Sequence, residues 1–130
     1  MTGEGEGHRE PPERFTDIRP WGKFEQFVQN RACSVKIITI ESGQQLSLQS
    51  HRLRSEWWVV LDDAMDVELD GQRLTLKRND EIFIPVGSKH RVFGLSKPCR
   101  WLEISFGLFD ENDITRYEDS YGRMLNQDEG

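Results

Sequence analysis

Apolar and polar residues alternate along most of this chain with a period of two, in runs of four to eight residues closed by turn formers. Phe24 to Val28 alternates loosely. Ser34 to Glu41 is rich in Val, Ile and Thr and ends at Ser42-Gly43. Leu46 to Ser50, Glu56 to Leu61, Met65 to Leu69, Arg73 to Lys77, Glu81 to Pro85, Arg91 to Phe93 and Arg100 to Phe106 follow. Asp62-Asp63, Arg78-Asn79-Asp80 and Ser96-Lys97-Pro98 read as turns, and Asp70-Gly71 is a strong hairpin signal. Evenly spaced strands with no helical period between them predict an all-β chain, an antiparallel sandwich or barrel. Only Glu111 to Tyr121 could hold a short helical turn. Residues 1 to about 16 carry almost nothing apolar and read as a flexible tail, so His8 is expected to be solvated. Order is expected from Arg19-Pro20-Trp21-Gly22.

The same alternation assigns faces. Gln49 and His51 are two apart and share a face with Ser47. Glu56 returns beside them after the Leu53-Arg54-Ser55 turn, and Trp58 and Val60 share its face. Trp57 then points outward, as an exposed aromatic or part of an interface between copies. Along Val35 to Glu41, the set Lys36, Ile38 and Ile40 faces inward, whereas Thr39 and Glu41 face solvent. An inward lysine is costly unless it meets water or an anion.

Chemistry enters through Gln49, His51, Glu56 and His90. Two imidazoles, a carboxylate and an amide oxygen offer lone pairs to a divalent ion, so a mononuclear metal site inside a small barrel is expected. Mixed nitrogen and oxygen ligands suit zinc, and also manganese, iron, cobalt or nickel. The net charge is −6, which argues against non-specific nucleic-acid binding. An anionic ligand would need a local basic cluster. No apolar run is long enough to span a bilayer and no signal peptide is visible, so no membrane partner is expected. Cys33 and Cys99 do not form a disulfide framework and read as reduced thiols of a cytoplasmic protein.

These residues resemble the cupins. In the first cupin motif Gly43, His51 and Glu56 match in spacing, with Gln49 for the first histidine and Asp63 for the closing glycine. In the second, Pro85, Gly87 and His90 match, with Asn79 for the glycine. Asn and Asp tolerate positive φ best among non-glycine residues, so both turns are expected to survive. The run from Leu46 to Val60 is similar to the isomerase domain of type II mannose-6-phosphate isomerases. So are Arg19-Pro20-Trp21-Gly22, Ile84-Pro85-x-Gly87-x-x-His90-Arg91 and Tyr121-Gly122-Arg123. The resemblance implies a double-stranded β-helix, a jelly-roll-like barrel, over residues 19–123, with tails at 1–18 and 124–130. It implies a divalent metal, favouring zinc, and interconversion of mannose 6-phosphate and fructose 6-phosphate through a cis-enediol. In that family the domain usually follows a mannose-1-phosphate guanylyltransferase domain, which these 130 residues do not contain.

Arg54 matches an arginine of that signature and is expected to bind the phosphate with its planar donor fork. Arg52, Lys89, Arg91 and Arg123 are further candidates for substrate binding. Lys36, together with Arg54, is a candidate catalytic residue, because burial would favour its neutral, proton-carrying form. Tyr117 and Glu103 are alternative acids or bases. Small cupins often pair, so a homodimer is expected. Two other readings stay open: another metal enzyme on this barrel, such as an oxygenase or a different sugar isomerase, and a non-catalytic carbohydrate-binding module. An oxygenase is disfavoured by Gln49 standing where histidine-rich sites carry an imidazole.

Overall fold

The computed structural model describes residues 12–119. Described strands are β1 (Phe15–Arg19), β2 (Gly22–Gln26), β3 (Ser34–Ile40), β4 (Leu48–Ser50), β5 (Arg54–Val60), β6 (Ala64–Leu69), β7 (Gln72–Lys77), β8 (Glu81–Ile84), β9 (His90–Phe93), β10 (Cys99–Gly107) and β11 (Thr115–Glu118). A four-stranded sheet in the order β3-β10-β5-β8 faces a five-stranded sheet in the order β11-β4-β9-β6-β7. β1 and β2 form a separate hairpin. Every pairing is antiparallel, as the alternating pattern predicts.

Three adjacent strands set up the interior. On the inner faces of β3, β5 and β10 the rows read Lys36-Ile38-Ile40, Glu56-Trp58-Val60 and Glu103-Trp101-Cys99. The ladder places Glu103 beside both Lys36 and Trp58, and Cys99 beside Ile40. Each row therefore runs from a charge at one end of the barrel to apolar side chains at the other. The apolar end is closed by Met65, Val67, Leu76, Ile82, Ile84 and Val92 from the remaining strands. The charged end is where the site lies.

The turns follow their residues. Asp70 (φ 49°) and Gly71 (φ 86°) form the β6–β7 hairpin, matching the two positive φ values that such a turn requires. Asn79 adopts φ 74°, as expected of the residue replacing a glycine. Asp63 is not among the positive-φ residues, so its turn closes without that demand.

Four expectations need correction. First, Trp57 does face outward, but it is only 1% exposed. It sits in a second apolar cluster with Ile104 and Phe106, against which Phe27, Val28, Cys33, Phe83 and Leu102 pack. Its indole Nε1 donates to Glu81 at 2.9 Å, and Phe27 meets it edge-on at 5.3 Å. The covering chain comes from the segment after β2, so Trp57 gives no ground for pairing between copies. Second, no helix occurs among the described residues. Asp110–Asn112 is a turn, and Thr115–Glu118 joins β4 as an outer strand. Third, ordered structure reaches back to Phe15, within the expected tail. Arg14 fixes it by pairing with Glu25 at 2.8 Å and Glu81 at 2.9 Å. Fourth, Lys36 faces inward but is exposed, since β3 is the edge strand and its first residues lie at the barrel mouth.

Candidate metal centre

His51, Glu56 and His90 come together at the charged end, all three buried, with one ligand atom from each lying within 4.8 Å of the others. They reach this point from the segment after β4, from β5 and from the start of β9. The backbone ties the two motifs to each other. Gly87, at φ 86°, donates its N–H to the His51 carbonyl at 2.8 Å, and Gln49 is the ladder partner of His90. A residue with a Cβ at Gly87 would strain the turn that aims His90 inward.

Both histidines are held in a form suited to ligation. His51 Nδ1 lies 2.7 Å from the Asp113 carbonyl and His90 Nδ1 lies 3.0 Å from the Ser88 carbonyl. A carbonyl only accepts, so each Nδ1 carries the hydrogen and each Nε2 keeps its lone pair. His51 Nε2 is 3.6 Å from Glu56 Oε2, and the two imidazole rings are 5.1 Å apart. Burial holds His51 down to about 4, the nearby Glu56 charge opposing the shift. Burial likewise holds His90 below the usual imidazole range. Both rings are therefore neutral near pH 7, the state that binds a cation.

Glu56 is the anionic member. Burial alone would push its carboxyl up, but His90, His51 and Arg54 together hold it below the usual carboxylate range. Arg54 supplies the charge that persists at neutral pH. Its Nε donates to Glu56 Oε2 at 2.8 Å, and Trp58 Nε1 donates to Oε1 at 3.0 Å. Two neutral imidazoles and one oriented carboxylate fit a divalent ion with mixed nitrogen and oxygen ligands. Gln49 lines the same cavity, and its Nε2 donates to Ser47 Oγ at 3.2 Å, which leaves the amide oxygen as the end available to a cation.

The cavity beside this group is about 180 Å³ and is lined by Lys36, Gln49, Arg54, Trp58 and Glu103 among others. Glu103 is 4% exposed and takes a bond from Trp101 Nε1 at 3.2 Å. Burial first, and then the Glu56 charge, push its carboxyl up to about 8. A buried carboxylic acid that is not in the ligand group is thus poised near neutrality. On sequence alone it is one of two alternative acids or bases, beside Tyr117.

The other candidates are dispersed. Arg54 lies in the cavity wall, with its guanidinium carbon 4.5 Å from the Phe109 ring centre. Lys36 shares that ring at 4.3 Å. Arg52 is exposed and does not line the cavity. Lys89 is exposed and stands 4.3 Å over Tyr117, whose hydroxyl meets Ser50 Oγ at 2.9 Å. Arg91 is buried but pairs with Glu68 and Glu118 on the other face of β9. Arg123 and His8 lie outside the described residues. Two residues went unremarked as site members in the sequence. Asp113, within the Glu111 to Tyr121 stretch that could hold a helical turn, accepts from the Arg52 and Leu53 N–H groups at 2.9 Å each, besides offering its carbonyl to His51. Phe109 had no motif or period to mark it.

Comparison with known proteins agrees with this geometry. Residues 6–119 match the family described as mannose-6-phosphate isomerase C-terminal. Mannose-1-phosphate guanylyltransferase ManC of Salmonella typhimurium is 37% identical over 108 residues, which are 82% of this chain and 22% of that protein. Alginate biosynthesis protein AlgA of Pseudomonas putida is 35% identical over 124 residues, 94% of this chain and 26% of that protein. The chain thus spans about a quarter of the length of these relatives. Among solved structures, a Bacteroides fragilis cupin protein aligns with TM-score 0.54 at 22% identity, covering 58% of this chain and 65% of that one. Capsular polysaccharide assembling protein CapF of Staphylococcus aureus aligns with TM-score 0.58 at 17% identity, covering 82% and 34%. These likenesses fix the fold as that of a cupin. With its residues matched from near the start to Asp119, the chain belongs to the mannose-6-phosphate isomerase C-terminal family.

Proposed function

We propose that this chain is a metal-dependent aldose–ketose isomerase that interconverts mannose 6-phosphate and fructose 6-phosphate. The observation that carries the reading is the meeting of His51, Glu56 and His90 beside a cavity that also holds a buried acid outside the ligand group. The family match supports the same substrate class.

A divalent ion, zinc by family resemblance, would be held by His51, Glu56 and His90, with Gln49 as a fourth ligand; when bound it supplies polarisation of the sugar oxygens and stabilises enediolate charge. The remaining work falls to the chain. Arg54 and Trp58 fix the Glu56 carboxylate in one orientation. Trp58 and Trp101 meet at 5.2 Å in a tilted arrangement and line the cavity. Isomerisation needs a group that takes the proton from C2 and returns it to C1, so that group must exist in both protonation states near the working pH. Glu103 meets that requirement, and Lys36, being exposed, does not have the burial that its proposed proton-carrying role required. The proton-transfer role passes to Glu103.

The test is a coupled assay with mannose 6-phosphate after loading with zinc, manganese, iron, cobalt or nickel in turn. Turnover with at least one metal is expected. Sugar-phosphate binding without turnover by any of them would reject the isomerase reading in favour of a binding module. Glu103→Gln is expected to keep metal binding and lower kcat by about 100-fold or more.

A further inference from the structure

The loop between β10 and β11 places Phe109 where an anion would be expected. Its ring is flanked by two cations, Lys36 Nζ at 4.3 Å from the centre and Arg54 Cζ at 4.5 Å. They are the cationic side chains that line the cavity among the described residues. The other candidate bases are turned elsewhere: Lys89 to Tyr117, Arg91 to Glu68 and Glu118. Lys36 meets the ring and lies across the ladder from Glu103, and Arg54 spends its Nε on Glu56. A neutral ring is a weak partner for two full charges. A phosphate monoester is a stronger one, since it offers several acceptor oxygens and close to two negative charges. The chain carries a net charge of −6, so attraction for such a ligand has to be local, and this pair provides it.

Strand pairing does not hold the ring in place. The loop is tied at its ends, through Leu108 N–H to the Leu53 carbonyl at 3.2 Å and through Asp113 to the Arg52 and Leu53 N–H groups. Between them Leu108 is 58% exposed, Asp110 is exposed and Phe109 is half-buried. No strand pairing holds residues 108–114. Arg54 also reaches this loop through a 3.3 Å bond from Nη1 to the Asp110 carbonyl.

We propose that Phe109 is an internal stand-in for phosphate, held between Lys36 and Arg54 and displaced when a phosphate monoester binds between the two cations. The ligand class rests on the sugar-phosphate reading above. Displacement costs the two cation–ring contacts, so the ring acts as a competitor that lowers apparent anion affinity. Phe109 thereby favours ligands with a doubly charged end over neutral sugars.

Calorimetric titration with inorganic phosphate tests this on the full chain. Phe109→Ala is expected to bind phosphate about five- to tenfold more tightly than wild type, since two cation–ring contacts are removed. Phe109→Leu, which keeps apolar cover without a π face, should follow the alanine variant. Lys36→Gln should weaken binding about tenfold, and Lys36→Arg should retain it. Unchanged or weaker phosphate binding in both Phe109 variants overturns the proposal. So does full phosphate affinity in Lys36→Gln, or no measurable binding in wild type and Phe109→Ala alike. The outcome is separable from that of the isomerase reading. Turnover of mannose 6-phosphate with no phosphate response at either position removes the stand-in and leaves the enzyme. A phosphate response without turnover removes the enzyme and leaves the stand-in.

Discussion

The two faces of β5 are both buried, yet they are buried for different purposes. Inward, Arg54, Glu56 and Trp58 spend their burial on a charged group that is held by hydrogen bonds. Outward, Trp57 and Val59 are covered as well, with Trp57 inside a cluster of Phe27, Ile104 and Phe106 and its one polar atom satisfied by Glu81. Burial alone therefore does not mark function on this strand. What separates the faces is whether burial acts against ionisable groups. Inside it shifts Glu103, His51 and His90 away from their ordinary ranges, and outside it packs carbon against carbon.

The largest effect expected from breaking this contrast is on the inner face. Glu56→Gln removes the one anion of the ligand group and leaves Arg54 buried without its carboxylate partner. Metal binding, read by elemental analysis after dialysis, should fall to background, and isomerase activity should fall by at least about 1,000-fold. Retention of stoichiometric metal would exclude Glu56 as a ligand.

Next in size is the outer face. Trp57→Ala leaves a cavity under the segment after β2 and strands Glu81 without its indole donor. A loss of about 3–5 kcal/mol in unfolding free energy is expected from chemical denaturation. Metal content and kcat measured well below the melting transition should match wild type. If instead activity vanished while stability held, the outer face would be part of the chemistry and the contrast would fail.

The same contrast explains what the sequence could reveal. Strict alternation gave the face of each side chain correctly: Ser47, Gln49, Glu56, Trp58 and Lys36 all lie on the faces it assigned. Alternation does not tell what covers a face or how deep a residue sits along the barrel. Alternation leaves Trp57 outward and uncovered because its cover, which includes Phe27, Val28 and Cys33, comes from a stretch that alternates loosely or not at all. Lys36 was read as buried because an edge strand at the mouth has the same alternation as a central one. The candidate ligand group of His51, Glu56 and His90 is legible because its spacing is tied to turns that Gly87 and Asn79 make feasible. β11 was not, because Thr115–Glu118 is polar on both faces and owes its extended form to pairing with β4. Phe109 acts through two residues from other strands, a relation that no local pattern carries.

The smallest effect separates the faces by pH. In the metal-free protein, obtained by chelation, His51 titrates near 4 when folded and near 6.5 when unfolded. A depressed folded value means that its contribution is complete above about 6.5 and is lost as pH falls toward 4, because the unfolded chain takes up the proton first. That single imidazole accounts for a decline on the order of 3 kcal/mol across the window, and His90 shifts in the same direction. Glu103 has the opposite sign. Its folded value of about 8 lies above the ordinary 4.5, so its contribution is complete below about 4.5 and is lost as pH rises through about 8. Unfolding curves measured from pH 4 to 9 should therefore fall at both ends. His51→Gln should flatten the acid limb and Glu103→Gln the alkaline limb, whereas Trp57→Ala should lower the whole curve without changing its shape. An acid limb unchanged in His51→Gln would mean that burial at the inner face is not what shifts this imidazole, and the distinction between the two faces of β5 would lose its electrostatic basis.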